Sequence, residues 1–139
     1  MRAVFELAKH EGSGPVKAAR VASAQFIPTR FLENILAQMR QAGIVESVRG
    51  KEGGYFLRGR PEDVSVGEVI RAVRGPMPAV DNVDGAGGRE SPLGLDRVLL
   101  PMWERAHNAM MDVYDGTTFK DLLQQERAVN EREAINYAI

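Results

Sequence analysis

An amphipathic helix that stops at a glycine and leads directly into a Gly-rich hairpin leaves few folds open to this chain. From Pro28 to Ala42 the apolar residues Phe31, Leu32, Ile35, Leu36 and Met39 follow i, i+3, i+4 spacing, which buries one helical face. Proline costs nothing in a first turn, where the N–H groups lack intrahelical partners. Gly43 supplies a stop. Ile44–Val48 and Tyr55–Leu57 are short β-prone runs on either side of Arg49-Gly50-Lys51-Glu52-Gly53-Gly54, which reads as a hairpin with a tight loop.

Two shorter helices precede this unit. Arg2 to His10 carries Val4, Phe5, Leu7 and Ala8 on one face and ends at Gly12-Ser13-Gly14-Pro15. Val16 to Ala24 carries Val16, Ala19, Val21 and Ala22. After the hairpin, Ser65-Val66-Gly67-Glu68 has the spacing of a capping box. It opens a helix with Val69, Ile70 and Val73 inward, stopped by Gly75-Pro76. Residues 76–97 are rich in proline and glycine and read as a linker. Beyond it, Val98, Leu99, Met102, Trp103, Ala106, Met110 and Val113 form a long apolar stripe, with a helix expected over Pro101–Tyr114. Pro101 belongs in the first turn of that helix or else kinks it. A charged helical stretch begins at Thr118 and runs towards Ile139.

Helix, helix, helix, hairpin is the order of a winged helix-turn-helix. The fold class expected is mainly α with a small β-hairpin. Residues 1–75 form the winged helix, 76–97 the linker, and 98–139 a dimerisation helix with a helical tail.

Charge agrees with that division. The net charge is −1, but residues 1–60 hold 10 Lys/Arg against 5 Asp/Glu, and the remainder holds 8 against 14. A basic half joined to an acidic half points to a polyanion partner for the first half. The third helix is sized for a major groove, and its N-terminal residues Thr29, Arg30, Glu33 and Asn34 stand where a recognition helix reaches bases. Arginine pairs with guanine, glutamate accepts from cytosine N4, and threonine meets a phosphate or a thymine methyl. Arg49 and Lys51 at the hairpin tip suit phosphates or a narrow minor groove.

Several classes are excluded or disfavoured. The chain has no cysteine, so it forms no disulfide and holds no metal through thiolate. No apolar run approaches the roughly 18 residues of a membrane span. The N-terminus lacks a secretory pattern, so a cytoplasmic protein is expected. Neither histidine sits in a catalytic pattern, and neither Gly-x-Ser-x-Gly nor a phosphate loop is present. An enzyme is therefore not expected.

The text from Leu36 to Tyr55 carries a resemblance. Leu36-Ala37-Gln38-Met39-Arg40-Gln41-Ala42-Gly43-Ile44-Val45, Ser47-Val48-Arg49-Gly50 and Gly53-Gly54-Tyr55 resemble the Rrf2 family of bacterial transcription regulators. Arg2 to Ala8 looks like the family's first helix, Phe31-Leu32-Glu33 like its recognition helix, and Val66 to Val73 like the helix after the hairpin. The likeness spans nearly all of residues 2–76 and is looser at Leu100–Trp103 and Thr117–Leu122. It implies binding to double-stranded DNA as a homodimer, through Pro28, Thr29, Arg30, Glu33, Asn34, Arg49, Lys51, Gly53, Gly54 and Tyr55. It implies that Met102, Trp103, Ala106, Met110 and Val113 meet a second copy across crossing helices.

Cluster-binding members of that family place three cysteines between the Gly-Pro turn and the tryptophan. Here the window holds Asp81, Asp84, Glu90 and Asp96 and no cysteine or histidine. Scattered loop acids read as solvated, so no iron–sulfur cluster, other metal or cofactor is expected. A small metabolite or a partner protein remains open as effector. The competing reading is a winged-helix module that regulates a partner protein without binding DNA.

Overall fold

The computed structural model describes residues 1–75 and 95–137, with side chains in the second segment from residue 98. Its elements are α1 (Arg2–Lys9), α2 (Ala18–Gln25), α3 (Thr29–Gln41), β1 (Val45–Val48), β2 (Gly54–Leu57), a 3-10 turn (Pro61–Asp63), α4 (Val66–Arg74), α5 (Leu95–Gly116) and α6 (Phe119–Tyr137). The mainly helical fold with one hairpin is the one expected from the sequence.

The stop signal at Gly43 works through backbone geometry. Gly43 adopts φ 75°, its amide donates to the Arg40 carbonyl (3.1 Å), and the Ile44 amide donates to the Met39 carbonyl (3.0 Å). That pair of bonds closes the end of α3 as a Schellman motif and turns the chain into β1. β1 and β2 pair antiparallel with Val45 opposite Leu57 and Val48 opposite Gly54.

Val16 was expected to open the second helix. It lies instead in an extended bridge to Tyr55, with amide-to-carbonyl bonds of 2.8 Å in both directions. α2 starts two residues later, at Ala18. The bridge pairs one residue with the Tyr55 edge of the hairpin, satisfying backbone groups that an edge would leave to water.

Val4, Val21, Leu32, Leu36, Met39, Val45 and Val69 are fully buried. They come from α1 to α4 and β1, so one core holds the helices and the hairpin together. Phe31 departs from the expected stripe, being 60% exposed. At 100° per residue it lies far round the helix from the Leu32–Leu36–Met39 line, at the flank of the packed face. Glu6 is buried as well. Gln25 Nε2 donates to its Oε2 at 2.7 Å, and His10 Nε2 lies 3.3 Å from Oε1, so the carboxylate is satisfied where α1 meets α2.

The core does not end at residue 75. Phe119 is fully buried among the winged-helix residues, with Leu122 and Leu123 packed beside it. The Phe119 amide donates to the Val64 carbonyl (3.0 Å), the Val66 amide to the Thr117 carbonyl (2.9 Å), and Lys9 pairs with Glu126. Residues from Thr117 into α6 thus complete the domain begun at residue 1.

Both flanking helices are capped. Ser65 Oγ accepts from the Glu68 amide at 3.2 Å, while Glu68 Oε2 accepts from the Ser65 amide at 2.7 Å. Thr118 and Asp121 repeat the device at α6, and the side-chain and backbone bonds from Thr118 hold the Asp121 carboxyl below its ordinary pKa. Ser65→Ala is expected to cost about 1 kcal/mol, read as a lowered denaturation midpoint with unchanged slope.

α5 begins at Leu95, so Pro101 falls inside it rather than in its first turn. Proline removes the bond to the carbonyl four residues back and crowds it. Most of the expected linker, residues 76–94, lies outside the described residues, as do the last two.

Candidate nucleic-acid interface

With Leu32, Leu36 and Met39 fixed inward, helical geometry decides what α3 shows outward. At 100° per residue, Arg30, Asn34, Ala37 and Gln41 run down the opposite face, with Glu33 on its flank. All five are exposed. Arg30, in the first turn of α3, and Asn34, four residues on, are neighbours on one face of the helix. Pro28 is the cap residue and offers no side-chain cap. The first-turn N–H groups therefore remain available to an anion, and Thr29 is exposed beside them.

The hairpin candidates divide. Arg49 and Lys51 are exposed at the tip. Gly53 is buried, and a Cβ there would stand 2.2 Å from the Val48 carbonyl oxygen. A Cβ on Gly54 would stand 2.5 Å from the Val16 carbonyl carbon and oxygen. Both glycines let backbone meet backbone inside the wing. Tyr55 is partly buried against the core, with its backbone engaged by Val16. The cations, then, are the outward groups of the hairpin, and the glycines and tyrosine build it.

Two further cations stand beside these, at positions with no local sequence signal. Lys17 and Arg20 are exposed at the start of α2 and line a groove of about 200 Å³ with Val16, Glu52 and Gly53. The hairpin tip and the α2 start are therefore neighbours. Among the described residues, Lys17, Arg20, Arg30, Arg49 and Lys51 take part in no ion pair. The Val16–Tyr55 bridge brings Lys17 to the wing, and a contact so distant in sequence leaves no local signal. Phe26 is also prominent: it ends α2 with φ 51° and is 91% exposed. A left-handed conformation is uncommon for a bulky residue.

On α5, the expected stripe is uncovered. Trp103 is 49% exposed and Val113 63%, and Met102, Ala106 and Met110 are exposed with them. α5 meets the winged helix through α4.

Residues 1–125 match the family model Rrf2, described as an iron-dependent transcriptional regulator. The chain belongs to the Rrf2 family. This Rrf2 protein is 33% identical to the HTH-type transcriptional regulator CymR of Bacillus subtilis, over 86% of this chain and 80% of that one. It is 34% identical to the HTH-type transcriptional regulator IscR of Pectobacterium atrosepticum, over 98% and 77%. Among solved structures, T. potens IscR superposes with a TM-score of 0.72 at 33% identity, covering 90% of this chain and 80% of that one. The B. subtilis CymR structure, described as the global cysteine regulator, gives 0.72 at 32%, covering 88% of each. As an Rrf2 member the chain is a DNA-binding transcription regulator, a class distinct from enzymes.

A cysteine-ligated iron–sulfur cluster does not fit this chain's donors. An iron–sulfur cluster is held mainly by cysteine thiolates, and the chain has none. Among the described residues no three His, Cys, Asp or Glu side chains are grouped to hold a metal ion. No described helix is long and apolar enough to cross a membrane.

Proposed function

We propose that this Rrf2 protein represses transcription as a cytoplasmic homodimer, each protomer reading one half-site with α3 while its hairpin follows the flanking backbone. The exposed α3 face, with Arg30 and Asn34 adjacent and Glu33 beside them, carries the reading. Arg30 suits guanine O6/N7, Asn34 adenine N6/N7, and Glu33 cytosine N4. Arg49, Lys51, Lys17 and Arg20 supply charge along the phosphates. The uncovered α5 stripe of Met102, Trp103, Ala106, Met110 and Val113 supports pairing of two copies, since a contiguous apolar face in water marks an interaction surface. Residues 1–75, completed by the start of α6, serve as the reading head, and residues 98–116 as the dimer helix.

The test is a pair of variants titrated against a duplex selected from random sequence. Arg30→Ala should weaken binding to the selected site by about 1–3 kcal/mol and relax the base preference at one position per half-site. Arg49→Ala should weaken binding to all sequences alike and reduce the salt slope by about one per protomer. Unchanged affinity in both variants would remove α3 and the hairpin from the interface.

A further inference from the structure

A dimeric reader must hold its two recognition helices a fixed distance apart, because half-sites repeat with the turn of the duplex. That distance depends on how stiffly each reading head is joined to the dimer helix. The joint lies at the end of α5. Arg71 Nη2 on α4 donates to Asp115 Oδ1 on α5 at 2.8 Å. The Val66 amide bonds to the Thr117 carbonyl, Ser65 forms an extended bridge with Thr118, and Phe119, the next residue, enters the core.

Gly67 on α4 leaves the space that the Asp115 carboxylate of α5 occupies. It is buried, and a Cβ on it would stand 1.9 Å from Asp115 Oδ1 and 3.1 Å from Arg71 Nη1. A methyl there must push the Asp115 carboxylate aside, which disturbs the geometry of the pair without changing any charge. Side chains at Arg71 and Asp115 are 36% and 45% exposed, so the pair adds little to stability. Its geometric effect is distinct: a planar guanidinium bound to a carboxylate fixes direction as well as distance.

We propose that Arg71, Asp115 and Gly67 form a clasp that sets the angle between the reading head and α5, and so make the dimer discriminate half-site spacing. Arg71 and Asp115 are positioning residues that touch no base. The proposal rests on the homodimer reading above.

The experiment uses the full chain and a duplex selected from random sequence, remade with one base pair inserted or removed between half-sites. Sedimentation with and without DNA gives the stoichiometry. The wild type should prefer its selected spacing by about tenfold, a modest geometric penalty. Asp115→Ala and Gly67→Ala should reduce that ratio several-fold while base substitutions inside a half-site cost as much as before. Arg71→Lys, which retains a cation for Asp115, should keep more of the ratio than Arg71→Ala. A merely structural role would weaken all spacings equally and leave the ratio intact, and an unchanged ratio in Asp115→Ala and Gly67→Ala overturns the clasp. A wild type that binds as a monomer overturns the dimer reading beneath it, and the sedimentation data alone reveal that.

Discussion

Phe119→Ala should destabilise the protein by about 3–5 kcal/mol, a large part of the roughly 5–15 kcal/mol that separates folded from unfolded domains. The ring is fully buried among residues of the winged helix. Truncation loses its transfer free energy and leaves a cavity beneath the start of α6 that surrounding helices fill only in part. The backbone bond from the Phe119 amide to Val64 and the Lys9–Glu126 pair remain, but the pair is partly exposed and contributes little. Urea denaturation followed by circular dichroism measures the loss as a fall in midpoint at constant slope. A loss below about 1 kcal/mol would show that α6 only rests on the winged helix, because surface changes usually stay within about half that.

Gly54→Ala should damage folding and DNA binding together. Its Cβ would meet the Val16 carbonyl carbon and oxygen at 2.5 Å and the Lys17 nitrogen at 3.0 Å. These are backbone atoms, so no rotamer change relieves the clash. The Val16 segment must separate from β2, which breaks the two 2.8 Å bonds with Tyr55 and moves Lys17 away from the hairpin tip. A cost of about 3 kcal/mol is expected, at the upper end for overpacking. DNA affinity should fall further than stability alone explains, since Lys17 loses its place beside the wing. Gly59→Ala is the control: its Cβ meets only the Asp63 Cβ at 3.7 Å, an ordinary contact, and its effect should stay within about 0.5 kcal/mol. Equal stability and affinity in the two variants would mean that the bridge to Val16 does not hold the wing.

These two residues also mark where the sequence was readable and where it was not. α3 could be read because its signals are local: buried positions recur every three or four residues, and Gly43 ends the helix through bonds to Arg40 and Met39 only a few residues back. The Ser65–Glu68 box is local in the same way. Arg30, Glu33 and Asn34 followed, since their outward position is fixed by the inward one of Leu32 and Leu36. Val16 was misread because an apolar residue before a helix fits the helical pattern, and its partner Tyr55 is distant in sequence. Lys17 and Arg20 were missed for the same reason. Phe119 gave no sign that it belongs to the core of residues 1–75, because periodicity reports a buried face but not what covers it. Phe31 failed in the opposite sense, since spacing alone does not say where the packed face ends. Pro101 suggests a helix start or a kink, and α5 begins upstream of it at Leu95, so the first of those two readings fails.

Fluorescence anisotropy of the full chain with the duplex upstream of its own coding sequence, and with a scrambled duplex, over a salt series, tests DNA reading most directly. The account predicts binding to the upstream duplex at least about a thousandfold tighter than to the scrambled one. It also predicts a steep fall with salt, as expected when several cations per protomer displace counterions from phosphates. Equal, weak and nearly salt-independent binding to both duplexes would contradict it.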